Sequence, residues 1–297
     1  MSIIRDAKNT FRFGNMINRL ILVNVGVFLV MLLLLLISRA TGHNKEFVLT
    51  ALQWLAMPYS GYELLTHPYT LITNIFLHIE PMHLLWNMLA MYWFGTIFGD
   101  LAGDRRVLPL YLYAGIFGSL FSLGAFYAFP EFLRGSGTLH GASGAVMAMM
   151  FAAATLSPDY KLNLLLFGRV SIKYVVFVYA IVDLFAMAGD LNAGGHFAHI
   201  GGALFGWFFV FMLRRSTDLS VGFNNIVDKL SYRRPQPQQK VRVTYRRQFG
   251  APDNDIQSMS PSEKQRRIDE ILDKISKSGY ESLTKEEKEI LFKASKD

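Results

Sequence analysis

Between residues 17 and 215 the apolar residues arrive in blocks of roughly 20, the length an α-helix needs to cross the ~30 Å hydrocarbon core of a bilayer. Few other folds tolerate such blocks. Composition agrees: 52% of the 297 residues are hydrophobic and 24 are Phe, and mean hydropathy is positive at +0.26. These values exclude an ordinary soluble domain and point to an all-α, multi-pass membrane protein. The absence of cysteine removes disulfides, thiolate nucleophiles and Cys-based metal sites. The net charge of +7 is read as membrane topology, and no nucleic-acid partner is expected.

Residues 1–16 form a short basic segment. Six spans are expected: Ile17 to Ile37, Pro81 to Phe98, Val107 to Phe129, Ser143 to Leu156, Val170 to Ala188 and His196 to Leu213. The first is too long for a signal-peptide core and lacks an A-x-A-like exit, so it reads as a retained span. Residues 38–70 form a long connection with an apolar stretch, Phe47 to Met57, too short to cross. The fourth span is also short, so its serine end is expected below the membrane surface, in a wet cavity. Six spans put both termini on one side. One set of flanks carries Arg5, Lys8, Arg12, Arg19, Arg105, Arg106, Lys161, Arg169, Lys173, Arg214 and Arg215; the other carries only Arg39, Lys45 and Arg134. That excess places both termini in the cytoplasm, and a bacterial inner membrane is the expected home.

The residues beyond 215 change character. Residues 216–259 are polar and Pro/Gln-containing and read as a flexible linker. Residues 260–297 carry two capping boxes, Ser260-Pro261-Ser262-Glu263 and Thr284-Lys285-Glu286-Glu287. Ile268, Ile271, Leu272 and Ile275 follow at helical spacing and Gly279 ends that run. The expectation is a small amphipathic helical hairpin, dispensable for chemistry and available to a docking partner.

A polar residue inside a span costs a few kcal/mol or more and asks for a reason. Ser143 heads the fourth span, and alone it is explained by close packing. His199 heads the sixth, with Gly202 and Gly206 at i+3 and i+7 on the same face. That small face matches Gly144, Ala148 and Ala152 of the fourth span, and packing the two brings Ser143 and His199 level. A serine beside an imidazole is a nucleophile beside its base. His83 and Asn87, at i and i+4 on the second span, are candidate donors to an oxyanion, aided by the backbone N–H groups of Ser143 and Ala142. Asp183 in the fifth span is read as a hydrogen-bonding residue of the bundle with no catalytic use. Two other classes remain open. His78, His83, His196 and His199 with Asp183 could form a metal or haem site, although His78 and His83 do not have H-E-x-x-H spacing. A transporter would show repeated halves with broken helices, and no repeat is visible.

His83-x-x-x-Asn87, Gly141-x-Ser143-Gly144 and Ala198-His199-x-x-Gly202-x-x-x-Gly206, in that order, resemble the motifs of the rhomboid intramembrane serine proteases over residues 15–215. The resemblance implies a six-span rhomboid-like bundle that hydrolyses peptide bonds in or beside the transmembrane segments of other membrane proteins. It implies a Ser143/His199 dyad without an acidic third member, and no cofactor or metal. His83, Asn87 and the Ser143 amide would form the oxyanion hole, and Leu139, Gly141 and Met147 would line the substrate groove. The tail is similar to that of some Bacteroidetes rhomboids. The chain departs from the family at two places. Tyr69-Thr70 stands where many members have Trp-Arg, and Met147 stands where a tyrosine often stacks on the catalytic imidazole.

Overall fold

The computed structural model describes residues 9–11, 14–43, 45–131, 137–165, 167–187, 192–230 and 260–294. Two compact units divide the chain, Met1–Arg233 and Arg234–Asp297. In the first unit α1 (Met16–Ala40) is 25 residues long, about 37 Å at 1.5 Å per residue. It starts at Asn15, whose side chain accepts from the Asn18 amide. The long connection after it is mostly helical: α2 (Glu46–Leu55), α3 (Gly61–Thr66) and α4 (Thr70–Thr73) flank the two-residue strand β1 (Met57–Pro58). The second expected span is α5 (Pro81–Ala90) and α6 (Thr96–Ala102), joined by a π-helical segment, Met91–Gly95. Then come α7 (Val107–Ala128), β2 (Thr138–Leu139), α8 (Ser143–Leu156), the strands β3 (Lys161–Leu164) and β4 (Gly168–Ser171), α9 (Ile172–Met187) and α10 (Ala193–Arg214). Among the described residues, α1, Asp104–Ala128 and α10 are long and apolar enough to cross a membrane, while α8 is apolar but shorter.

α8 is the axis of the bundle. Gly144 through Met150, Ala152 and Ala153 are all buried, as suits a helix that is apolar on every side. α10 lies against it at glycine distance. A Cβ on Gly202 would overlap the Gly144 carbonyl oxygen, and one on Gly206 would overlap the Ala148 carbonyl. α10 meets α7 as closely, and a Cβ on Gly118 would stand 2.6 Å from the Ala198 carbonyl oxygen. Helices without large side chains between them can be held by dispersion and backbone contact in a lipid solvent, where apolar burial drives little.

Buried polar groups tie the connections to this axis. Tyr111 on α7 donates to the Ile75 carbonyl at 3.0 Å and accepts from Asn24 of α1 at 3.1 Å. Asn74 holds three segments: its amide donates to Thr70, its side-chain oxygen accepts from Ser119 of α7, and its carbonyl accepts from the Gly141 amide at 2.8 Å. β1 pairs antiparallel with β2, Met57 opposite Leu139 and Pro58 opposite Thr138. Near the start of α10, the Gly194 carbonyl accepts from Ser122 of α7 at 2.6 Å, and Ser122 also bonds Tyr59 at 2.9 Å.

Two expectations change on the side carrying the basic flanks. Residues 216–230 are not linker: α11 (Ser220–Leu230) is a further helix, with residues 231–259 outside the described set. Asp218 caps it, accepting from the Ser220 amide and hydroxyl at 2.9 and 2.7 Å and from Arg106 at 2.8 Å. Burial alone would raise the Asp218 carboxyl, but the Ser220 and Arg106 donors outweigh it and hold it below the usual carboxylate range. Asp228 pairs with Arg105 at 2.5 Å. Arg105 and Arg106, besides marking topology, thus moor this helix. The fifth span's expected start is likewise a strand: Val170 lies in β4, opposite Leu162.

In the second unit α12 (Pro261–Ser278) and α13 (Lys285–Ala294) are joined through the 3-10 turn Tyr280–Ser282. Gly279 ends α12 at φ 76°, a value glycine takes without strain. The Glu287 carboxylate accepts from the Thr284 amide at 2.7 Å and from Lys274 of α12 at 2.9 Å.

Gly206→Leu is expected to separate α8 from α10 and lower the Tm by several degrees, since overpacking a full interface costs ~1–3 kcal/mol or more; thermal unfolding in detergent measures it. In the tail, Lys274 first, then the Thr284 amide, hold the Glu287 carboxyl below its ordinary 4.5. A depressed carboxyl contributes its stability above the unfolded value and loses it as pH falls through the folded one. Circular dichroism of a 260–297 fragment should therefore show helix lost below pH 4.5, with the midpoint moved upward by Lys274→Ala.

Candidate active site

The N-terminus of α8 is positioned by three bonds to the connection before α5. The β1–β2 pair sets residues 138 and 139, the Asn74 carbonyl holds Gly141, and His78 Nε2 accepts from the Ala142 amide at 3.3 Å. His78 is fully buried. Burial, reinforced by the charge of neighbouring His83, pushes its imidazole down to about 4, so at neutral pH Nε2 keeps its lone pair for that amide. Gly141 sits at φ 122°, where a Cβ would come within 2.8 Å of the His83 ring. Ser143 then begins the helix, and its N–H is among the first-turn donors that have no partner within the helix.

Ser143 and His199 line the same cavity of about 930 Å³. His83 and Asn87 of α5 line it too, as do Val146, Met147 and Met150 of α8, spaced along one helix face. Its rim carries exposed Trp86, Trp93, Tyr179 and Leu165. The Asn87 amide donates to the His83 carbonyl at 2.9 Å, which leaves its second N–H for another acceptor. No hydrogen bond joins Ser143 to His199 among the described residues. Such bonds are often long before substrate arrives. The imidazole is instead gripped from behind: Asp183 Oδ1 of α9 lies 2.8 Å from His199 Nδ1 and 2.9 Å from His196 Nδ1.

The Rhomboid domain profile matches residues 65–216 of this sequence. The chain belongs to the rhomboid family. Residues 259–297 match a second profile, described only as a family of unknown function (DUF6576). Similar proteins include the mitochondrial Rhomboid protein 1 of Saccharomyces cerevisiae, 33% identical over 48% of this chain and 42% of that one. Rhomboid protease GluP of Bacillus subtilis is 35% identical over 46% of this chain and 24% of its own length. Presenilin-associated rhomboid-like protein A, mitochondrial, of Danio rerio is 28% identical over 56% and 44%. The chain thus spans less than half the length of these relatives.

Within this rhomboid domain the structure brings Ser143, His199, His83, Asn87 and Met147 to one cavity. Three expected site residues lie elsewhere. Leu139 is buried with Met57, Leu123 and Ala198, because strand pairing turns it into the core and away from the groove. Gly141 is outside the cavity lining; its amide is spent on Asn74 and its backbone presses on His83. The Ala142 amide, expected to aid the oxyanion hole, is engaged by His78. The expectation of a histidine without an acidic partner also differs from the geometry, since Asp183 bonds His199 directly. Asp183 was visible in the sequence as a charge inside a span, and that signal alone names no partner. The β3 segment was not anticipated at all: Leu162 to Leu165 close one side of the cavity.

Gly141→Val is expected to strain the loop and push against His83, slowing labelling of Ser143 by a fluorophosphonate at least tenfold while leaving the helical content unchanged; mass spectrometry of the labelled peptide follows the rate.

Proposed function

We propose that this rhomboid is an intramembrane serine endopeptidase that cuts other membrane proteins in or beside their transmembrane segments. The observation that carries this is a serine at a helix N-terminus sharing one cavity with an imidazole and two further polar groups, inside an apolar bundle. The reading takes six spans: α1, α5–α6, α7, α8, α9 and α10. Both termini lie on the side marked by Lys and Arg, the cytoplasm, supported by eleven basic flanking residues against three. The relatives named above divide between mitochondria and a bacterium, so the likeness supports a membrane without choosing the bacterial inner membrane.

In the reaction, the Ser143 Oγ lone pair attacks the scissile carbonyl carbon as its proton passes to His199 Nε2. Negative charge gathers on the carbonyl oxygen. The free Asn87 N–H, His83 and the Ser143 amide at the positive end of α8 are the donors available to it. His199 then gives the proton to the leaving amine, and water repeats the sequence on the acyl-enzyme. A substrate helix hides its carbonyls in its own hydrogen bonds, so segments with Gly or Pro near the membrane surface are preferred. The tail's 260–297 unit serves docking or regulation.

A second reading rests on Asp183, His196 and His199, whose ligand atoms lie within 4.8 Å of one another and could hold a metal ion. The hydrogen bonds already satisfy these atoms, so the hydrolase reading needs no ion.

Ser143→Ala and His199→Ala should each abolish cleavage of a transmembrane substrate in proteoliposomes, with the double variant little worse than either. Asn87→Ala should lower kcat by about 10²–10³ with a smaller effect on KM. Truncation after Arg233, which keeps α11 and its ion pairs to Arg105 and Arg106, should leave cleavage in detergent largely intact. Activity that survives Ser143→Ala, or that EDTA removes and zinc restores, would overturn the assignment.

A further inference from the structure

We infer that Asp183 is a positioning residue that completes a Ser143–His199–Asp183 relay, with His196 holding the carboxylate in place. The inference rests on the hydrolase reading and adds a third member to its Ser/His pair. A carboxylate buried near the end of an apolar helix is expensive unless it meets donors. Asp183 is 9% exposed, and its Oδ1 accepts from two imidazoles at 2.8 and 2.9 Å. Both donors sit on α10, three residues apart and therefore on one face. Their rings contact edge to face with centroids 5.5 Å apart. The carboxylate is gripped from two directions and the His199 ring cannot turn without breaking one grip.

The consequence for His199 is chemical. A neutral imidazole carries one N–H, and a carboxylate at Nδ1 decides that the proton sits there. Nε2 is then left unprotonated, the state a base needs. His199 lines the cavity that contains Ser143, whereas Asp183 and His196 do not. Asp183 therefore stands behind the imidazole and touches no substrate. The Asp183 carboxylate is the charged group bonded to this ring. When the Ser143 hydroxyl proton moves to Nε2 and the Oγ–carbon bond forms, the imidazolium meets a carboxylate 2.8 Å away. Asp183 itself stays ionised throughout.

The test uses the full-length chain in proteoliposomes. Asp183→Asn keeps the side chain's shape and removes its charge. It is expected to lower kcat by about 10³–10⁴, as loss of tautomer control does in serine proteases generally, with KM changed by less than about threefold, the split that marks a loss confined to the transition state. A fall in Tm with kcat unchanged would mean a structural role only and would overturn the inference. If the variant fails to fold, ¹⁵N NMR of histidine-labelled wild-type protein decides: His199 should be protonated at Nδ1 and bare at Nε2 at neutral pH, and the reverse tautomer overturns the relay. Full activity in Asp183→Asn with none in Ser143→Ala sinks the relay but keeps the hydrolase, whereas activity in Ser143→Ala sinks the hydrolase itself.

Discussion

Backbone-to-backbone approach between α8 and α10 is the constraint on which the rest of the molecule depends. Gly202 faces the Gly144 carbonyl and Gly206 faces the Ala148 carbonyl with no room for a methyl group. In a lipid solvent little is gained by hiding apolar side chains from their like, so close contact and satisfied polar groups must supply the cohesion. The same contact fixes the level of His199, in the second turn of α10, relative to Ser143 at the start of α8. Stability and the proposed chemistry thus rest on one interface.

Each polar group in the bundle answers to the cost of leaving it unpaired. Tyr111, Asn24, Asn74 and Ser119 form bonds that cross from one segment to another. They fasten the long connection before α5 to the bundle and to the segment that leads into Ser143. His78 follows the same rule: held neutral by burial, it serves as an acceptor for a backbone amide. Histidines near this site therefore have different duties, set by what each ring nitrogen faces.

The bundle's helices were legible in the sequence because hydrocarbon thickness writes itself as block length, and glycine spacing wrote the α8–α10 face. Ser143, His199, His83 and Asn87 were legible because polar residues in such blocks are few. The spatial partners of polar residues were not. Asp183 could be seen as a charge in a span, but its bond to His199 depends on how α9 leans against α10, which no local pattern encodes. Leu139 was misplaced for a related reason: a two-residue strand pairing leaves no periodicity to read. The polar composition of α11 masks an amphipathic face and reads as linker, and the ion pairs that moor it join residues over a hundred positions apart.

The ties between the connection before α5 and the loop before Ser143 join residues 64 positions apart in the case of His78 and Ala142. Contacts of that separation form late, after the loop between them has been closed. His199 comes later still in the chain, on α10, the last long apolar helix among the described residues. Until α10 packs against α8, the Ser143 segment therefore stands without the imidazole that shares its cavity. On the proposed reading, chain order delays the meeting of serine and base until the bundle is assembled.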